Sequence, residues 1–180
     1  MEECKQTTKK IGQSFPPRLY VLTLKYFMPK RRRVVYNLFH KYVENTLPKV
    51  IVANDEVYVC RLTEVVLKEV NFFEAKVYLN TKVLKHLYDR KPAEEFDFVV
   101  RHLHLIIKYP DRLYKNKISK SGDYCLVKKI ENYEYLCSLQ CLTENEVSKI
   151  MVVTIFRIRD EKYLKNYELL WSWKGGVPSS

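Results

Sequence analysis

The 180-residue chain is short of several features that would assign it to a familiar class. No apolar run approaches the ~20 residues of a membrane-crossing helix, so no membrane association is expected. The stretch VLTLKYFM is broken by Lys25 and lies too far in for a signal peptide, which predicts a cytoplasmic protein. The five cysteines, at 4, 60, 125, 137 and 141, are odd in number, form no C-x-x-C and sit mostly in apolar runs. They read as reduced, packed thiols, with Cys137 and Cys141 spaced to share one strand face rather than to hold zinc. Carboxylates and histidines never cluster at ligand spacing, so neither a metal nor a cofactor is expected. His102 and His104 would share a face only on a strand; on a helix they diverge by about 200°. There is no internal repeat and no low-complexity linker.

What is present is positive charge, unevenly spread. The net charge is +11, and residues 1–33 hold nine Lys/Arg against two Glu, so +7 lies in the first 33 residues and +4 in the remainder. The arm ends in PKRRR, with Arg31, Arg32 and Arg33, and attracts polyanions by counterion release. A solvated tail or a nuclear-localisation signal has the same composition, so the charge implies affinity without specificity.

With 47% hydrophobic and 13% aromatic residues the chain can bury one good core. Residues 1–17 carry no periodicity. Val34, Val35, Leu38, Phe39, Tyr42 and Val43 recur at helical spacing from Arg31 to Leu47, before Pro48. VIVA, Asn54-Asp55 and EVYVC read as a short hairpin, and TEVVLKEVNFF as a helix that Thr63 can cap. KVYL (76–79) is a short strand, and Asn80 can cap a helix ending at Lys91-Pro92. The stripe of Phe96, Val99, Val100, Leu103, Ile106 and Ile107 predicts a helix over 93–108. After a loop, YKNKISKSGD, the patterns YCLVKKI, YEYLCSLQCL and KIMVVTIFRI predict an antiparallel meander, then a short helix at RDEKYLKNY.

The expected organisation is a basic, partly flexible arm over 1–30, a helical accessory subdomain with a hairpin over 31–75, an α+β domain over 76–170 and a tail over 171–180. The fold class is α+β, with N-terminal helices and a small hairpin followed by helices packed on one face of an antiparallel meander.

Several segments raise the question of phosphate chemistry. In VYLNTKVLKHLYDR, residues Lys82, His86 and Arg90 stack on one helix face. In YCLVKKI, Lys128 and Lys129 point to opposite strand faces, so one of them interrupts an apolar face. Thr154 shares a face with Val152 and Phe156, and Arg157 and Arg159 follow it. The loop KNKISKSG carries Lys115, Lys117 and Lys120. Each also has a plain reading: an exposed charged helix face, a snorkelling lysine, a β-branched strand residue, a solvated loop.

Four segments in order, VYLNTKVLKHLYDR, LIIKYPDRLYKN, GDYCLVKKIENYEYLCSLQ and VVTIF, together resemble the phage-type branch of the barnase, EndoU, colicin and RelE-like ribonuclease superfamily. The resemblance covers roughly residues 76–170, and order and spacing carry it rather than any single motif. It implies a barnase/RelE-like nuclease fold and a metal-independent endoribonuclease, toxin-like or phage-derived. The ribose 2′-hydroxyl would attack phosphorus and leave a 2′,3′-cyclic phosphate. His86 would serve as acid or base, since a histidine pKa of about 6.5 lets both forms exist near neutrality. Arg90, Lys128 and Thr154 would steady the phosphorane, with the stripe facing a cleft floored by Lys128 and Thr154. Lys82, Lys115, Lys117, Lys120, Arg157, Arg159 and Arg31 to Arg33 would hold RNA. Expected partners are RNA and a cognate antitoxin or inhibitor protein. The family's stricter members carry a second histidine soon after the first, where this chain has Arg90-Lys91. The alternative is a non-catalytic module that binds nucleic acid or a protein on the same fold.

Overall fold

The structure, a computed structural model, describes residues 30–70, 72, 74–117, 122–144 and 147–173. Its strands are β1 (Glu56–Arg61), β2 (Lys76–Asn80), β3 (Arg112–Asn116), β4 (Tyr124–Ile130), β5 (Tyr133–Glu144), β6 (Val147–Ile158) and β7 (Tyr167–Ser172). They form one sheet in the order β1-β2-β6-β5-β4-β3-β7. The β2–β6 pair is parallel and the other pairs are antiparallel, so the sheet is mixed. Among the described residues the α-helices are α1 (Lys30–Tyr42), α2 (Glu64–Glu69), α3 (Thr81–Arg90) and α4 (Ala93–Lys108), and a 3-10 helix spans Glu161–Asn166. The fold is α+β.

The helices pack on one face of the sheet. All six apolar positions that predict α4 are buried, each worth about 1.5–3 kcal/mol for a large aliphatic or aromatic side chain. They join Val35 and Leu38 of α1, Leu84 and Leu87 of α3, and the strand residues Val77, Leu79, Cys137 and Ile155 in one core. The opposite face carries a smaller cluster, Tyr114, Cys125, Val127 and Leu136, closed by Leu164 of the 3-10 helix. At the β3–β4 connection, Gly122 has φ +98°, and a Cβ there would lie 2.3 Å from Ser138 Oγ and 2.8 Å from Leu139 O. Its carbonyl accepts the Asn116 side-chain N–H at 2.8 Å, which fixes the approach of the two strands.

Several expectations need correction. Residues 51–55 form no strand; EVYVCR pairs with β2 instead, because a full ladder against a core strand satisfies more backbone groups than a local hairpin would. The helix after Thr63 stops at Glu69, and the Thr63 side chain makes no cap bond. The stretch read as a loop from Tyr114 contains the end of β3, and Trp171 and Ser172, assigned to the tail, belong to β7; each of these short strands completes the other's ladder. Helix α1 and strand β1 enter the same core and sheet as the elements after residue 76. Helix α4, the β4-β5-β6 meander and the Asn80 cap, which accepts the Val83 N–H at 2.9 Å, lie where the pattern puts them. The arm over 1–29 and residues 174–180 lie outside the described residues.

Candidate nucleic-acid interface

Helix α3 presents three rows to three environments. Leu84 and Leu87 enter the core. The row Thr81, Lys85 and Asp89 holds the segment that joins α1 to β1. Thr81 Oγ1 donates to Ala53 O at 2.6 Å and accepts from Asp55 N–H at 3.1 Å. Lys85 is 5% exposed; its Nζ donates to Leu47 O at 2.9 Å and pairs with Asp89, which also accepts the Lys49 N–H at 3.0 Å. Partial burial pushes the Asp89 carboxyl up. The bonds from Lys85 and Lys49 N–H, with the charges of Lys85 and His86, outweigh it and leave the group below the ordinary aspartate range.

One position on, Lys82, His86 and Arg90 form the outer row, and all three are exposed. No hydrogen bond or ion pair joins Lys82 or Arg90 to another described residue, and Asp89 is the carboxylate that senses His86. The helix has no acidic residue in its first turn. Lys82 therefore stands uncompensated at the positive end of the macrodipole, where an anion would be favoured.

The second group of cations lies at the end of the sheet that contains the β4–β5 turn, called here the hairpin end. Lys128, Tyr135 and Arg157 form one cross-strand row on the helix-covered face. Lys128 Nζ pairs with Asp111 at 2.5 Å, and the other Asp111 oxygen accepts the Lys129 N–H at 2.8 Å. The Arg157 guanidinium lies 4.1 Å from the centroid of the Tyr133 ring. Arg159 and Lys91 share Glu95, at 3.7 and 2.7 Å, and Arg112 pairs with Glu134. The shared Glu95 ties the end of α3, and so Arg90, to the end of β6.

Thr154 is not in this group. It pairs with Ser138, which pairs with Cys125, and Cys125 and Lys128 are three residues apart on an unbulged strand. Lys128 and Thr154 thus lie on opposite faces of the sheet, and the cleft that would hold both beside the α3 stripe is not formed. Lys115 is exposed on β3, and Lys117 stands 4.0 Å from Glu168. Arg31 and Arg32 are in the first turn of α1, followed by an exposed Arg33; Lys120 lies outside the described residues. His102 and His104 are both on α4, and His102 Nδ1 lies 2.8 Å from Phe98 O, in hydrogen-bond contact.

The buried Lys85–Asp89 pair was missed by pattern reading, although its i, i+4 spacing is itself a signal. Cys60, Cys125 and Cys137 are buried; burial pushes the Cys125 thiol up to about 11 and Cys137 well above its ordinary value, so neither of these two is a ready nucleophile. No helix among the described residues is long and apolar enough to cross a membrane. Comparison with protein-family models, curated proteins and solved structures finds no match to this chain.

Proposed function

We propose that the chain binds RNA, with the outer row of α3 as its phosphate-gripping surface. The observation that carries this reading is that Lys82 and Arg90 are exposed on one helix face without a partner among the described residues, with His86 between them. Lys82 and Arg90 lie two helical turns, about 12 Å, apart on one face, so they can grip phosphates at two points along one strand, and Arg90 can fork onto two oxygens. The basic arm adds sequence-independent attraction. The ordered resemblance over residues 76–170 supports placing this surface on a barnase/RelE-like nuclease fold.

The position of His86 favours a second reading, a metal-independent endoribonuclease. A histidine flanked by two cations can move a proton to or from a phosphate they hold. His86 as the neutral imidazole takes the 2′-hydroxyl proton as that oxygen bonds to phosphorus, the P–O5′ bond breaks, and the departing 5′-oxygen takes a proton from solvent water, to which the imidazolium then returns its own. Lys128 and Thr154 cannot act together in that step, since they lie on opposite faces.

The test is fluorescence anisotropy with a labelled RNA across a salt series, followed by end analysis of the RNA after incubation in chelator. Binding that weakens with salt supports the first reading, and 2′,3′-cyclic phosphate ends support the second. Absence of RNA binding at low salt overturns both.

A further inference from the structure

We infer that the sheet face away from the helices, at strands β1, β2 and β6, is a second nucleic-acid site that takes unpaired bases. This rests on the proposal above only in its choice of RNA as ligand. The register sets two rows side by side on that face. Tyr58 pairs with Tyr78, and one step along the strands Arg61 pairs with Lys76. The β2–β6 register, Val77 with Ile150 and Tyr78 with Met151, brings Lys149 beside Lys76. Two tyrosines therefore adjoin three cations.

The tyrosine rings meet edge to face with centroids 5.9 Å apart, and Tyr58 is 37% exposed. Lys149 Nζ lies 5.7 Å from the Tyr78 centroid and pairs with Glu56, which keeps that ring partly covered and leaves Tyr58 as the more open platform. Arg61 and Lys76 are exposed. The described helices join the core on the other face.

The Tyr58–Tyr78 pair steadies the ladder as a cross-strand aromatic contact, and the 37% exposure of Tyr58 leaves it ring surface to offer a ligand. Every base has a π-face, so stacking is open to an unpaired nucleotide and closed to a base inside a duplex. The exposed Arg61 and Lys76 supply the phosphate contacts that stacking alone lacks, while Lys149 is held by Glu56. An acidic protein segment would find the cations but would gain nothing from a ring without apolar side chains of its own; RNA matches both rows.

The experiment compares a labelled 12-nucleotide oligouridylate with the same strand in an oligoadenylate duplex, using wild type, Tyr58→Leu, Tyr58→Phe and Lys82→Ala/Arg90→Ala. Tyr58→Leu keeps apolar volume and removes the π-face, and its circular dichroism and melting curve report whether the fold is kept. The single strand should bind wild type more tightly than the duplex. Tyr58→Leu should lower single-strand affinity about tenfold, Tyr58→Phe should restore it, and duplex affinity should not move. Equal loss on both ligands, or no loss from Tyr58→Leu while Lys82→Ala/Arg90→Ala abolishes binding, overturns the stacking site and leaves the α3 proposal standing. Full displacement by heparin with Tyr58→Leu unchanged reduces the face to a polyanion patch and overturns it as well. If wild type binds neither RNA, both proposals fall.

Discussion

The outer row of α3 and the hairpin end of the sheet carry the same kinds of side chain in different company. At the hairpin end Lys128, Arg112 and Arg159 each face a carboxylate of the protein itself, Asp111, Glu134 and Glu95. On α3 the carboxylate belongs to the neighbouring row, where Asp89 is engaged by Lys85 and by the Lys49 N–H, so Lys82 and Arg90 keep their charge for solvent or ligand. A ligand phosphate must displace an internal partner at the first site and only water at the second. Cation count alone does not separate them.

The largest effect that can break this comparison concerns chemistry. If the RNA is cut, His86→Ala should lower the single-turnover rate by about 100-fold while affinity stays within about twofold, and Lys128→Ala should cost less than about threefold. Rates come from labelled RNA with enzyme in excess. An equal loss in the two variants would move the reaction to the hairpin end.

Next in size is stability, which sharpens the contrast between adjacent rows of α3. Lys85→Met leaves Asp89 without its cation and Leu47 O without its donor, and should cost about 2–3 kcal/mol in urea unfolding. Lys82→Met, one position away on the exposed row, should stay within about 0.5 kcal/mol. The pH dependence has a definite sign. The Asp89 carboxyl is depressed in the folded chain, so its contribution is present above the ordinary aspartate pKa and is lost as pH falls through the lower folded value. Asp89→Asn should therefore flatten the acid limb of the stability curve and leave the alkaline limb unchanged.

Periodicity made α4, the meander and the exposed α3 stripe legible, because each depends on a repeat within one element: Phe96 to Ile107 at helical spacing, alternation in β4, and one-turn steps from Lys82 to Arg90; in β6 the register shift breaks the alternation, so Thr154 shares a face with Phe156 but not with Val152. What depends on two distant elements was not legible. β7 exists as the partner of β3, more than fifty residues earlier, and neither strand is long enough to announce itself. Alternation correctly set Lys128 and Lys129 on opposite faces of β4. It could not say that Thr154, two strands away, falls on the face of Cys125, since that follows from inter-strand register. Nor can charge in the sequence distinguish a paired lysine from an exposed one when the carboxylate is Asp111, seventeen residues upstream of Lys128.

A direct comparison of the two regions by binding comes third. Lys82→Ala/Arg90→Ala should weaken RNA affinity about tenfold and reduce the salt slope by about 1–2, because two phosphate contacts and their counterion release are removed. Lys128→Ala/Arg159→Ala should change affinity by less than about twofold, since those cations already face carboxylates. Anisotropy titrations at four salt concentrations give both slopes. Matching slopes in the two double variants would erase the distinction between exposed and internally paired cations.

The smallest effect tests the reason for the distinction. Asp111 accepts from both Lys128 Nζ and the Lys129 N–H, and its own N–H bonds Val127 O, so it couples the start of β3 to β4 while neutralising one lysine. Asp111→Asn keeps shape and some hydrogen bonding but removes the charge. Folding stability should fall by about 1 kcal/mol, the scale of a charge-assisted bond at a partly exposed site. RNA affinity should rise by about twofold, because Lys128 gains the freedom that Lys82 already has and the local potential becomes more positive. The increase should vanish in Asp111→Asn/Lys128→Ala and should shrink with added salt. A stability loss without any gain in affinity would show that pairing is not what keeps the hairpin end from RNA, and that its place in the fold, rather than its charge balance, separates it from α3.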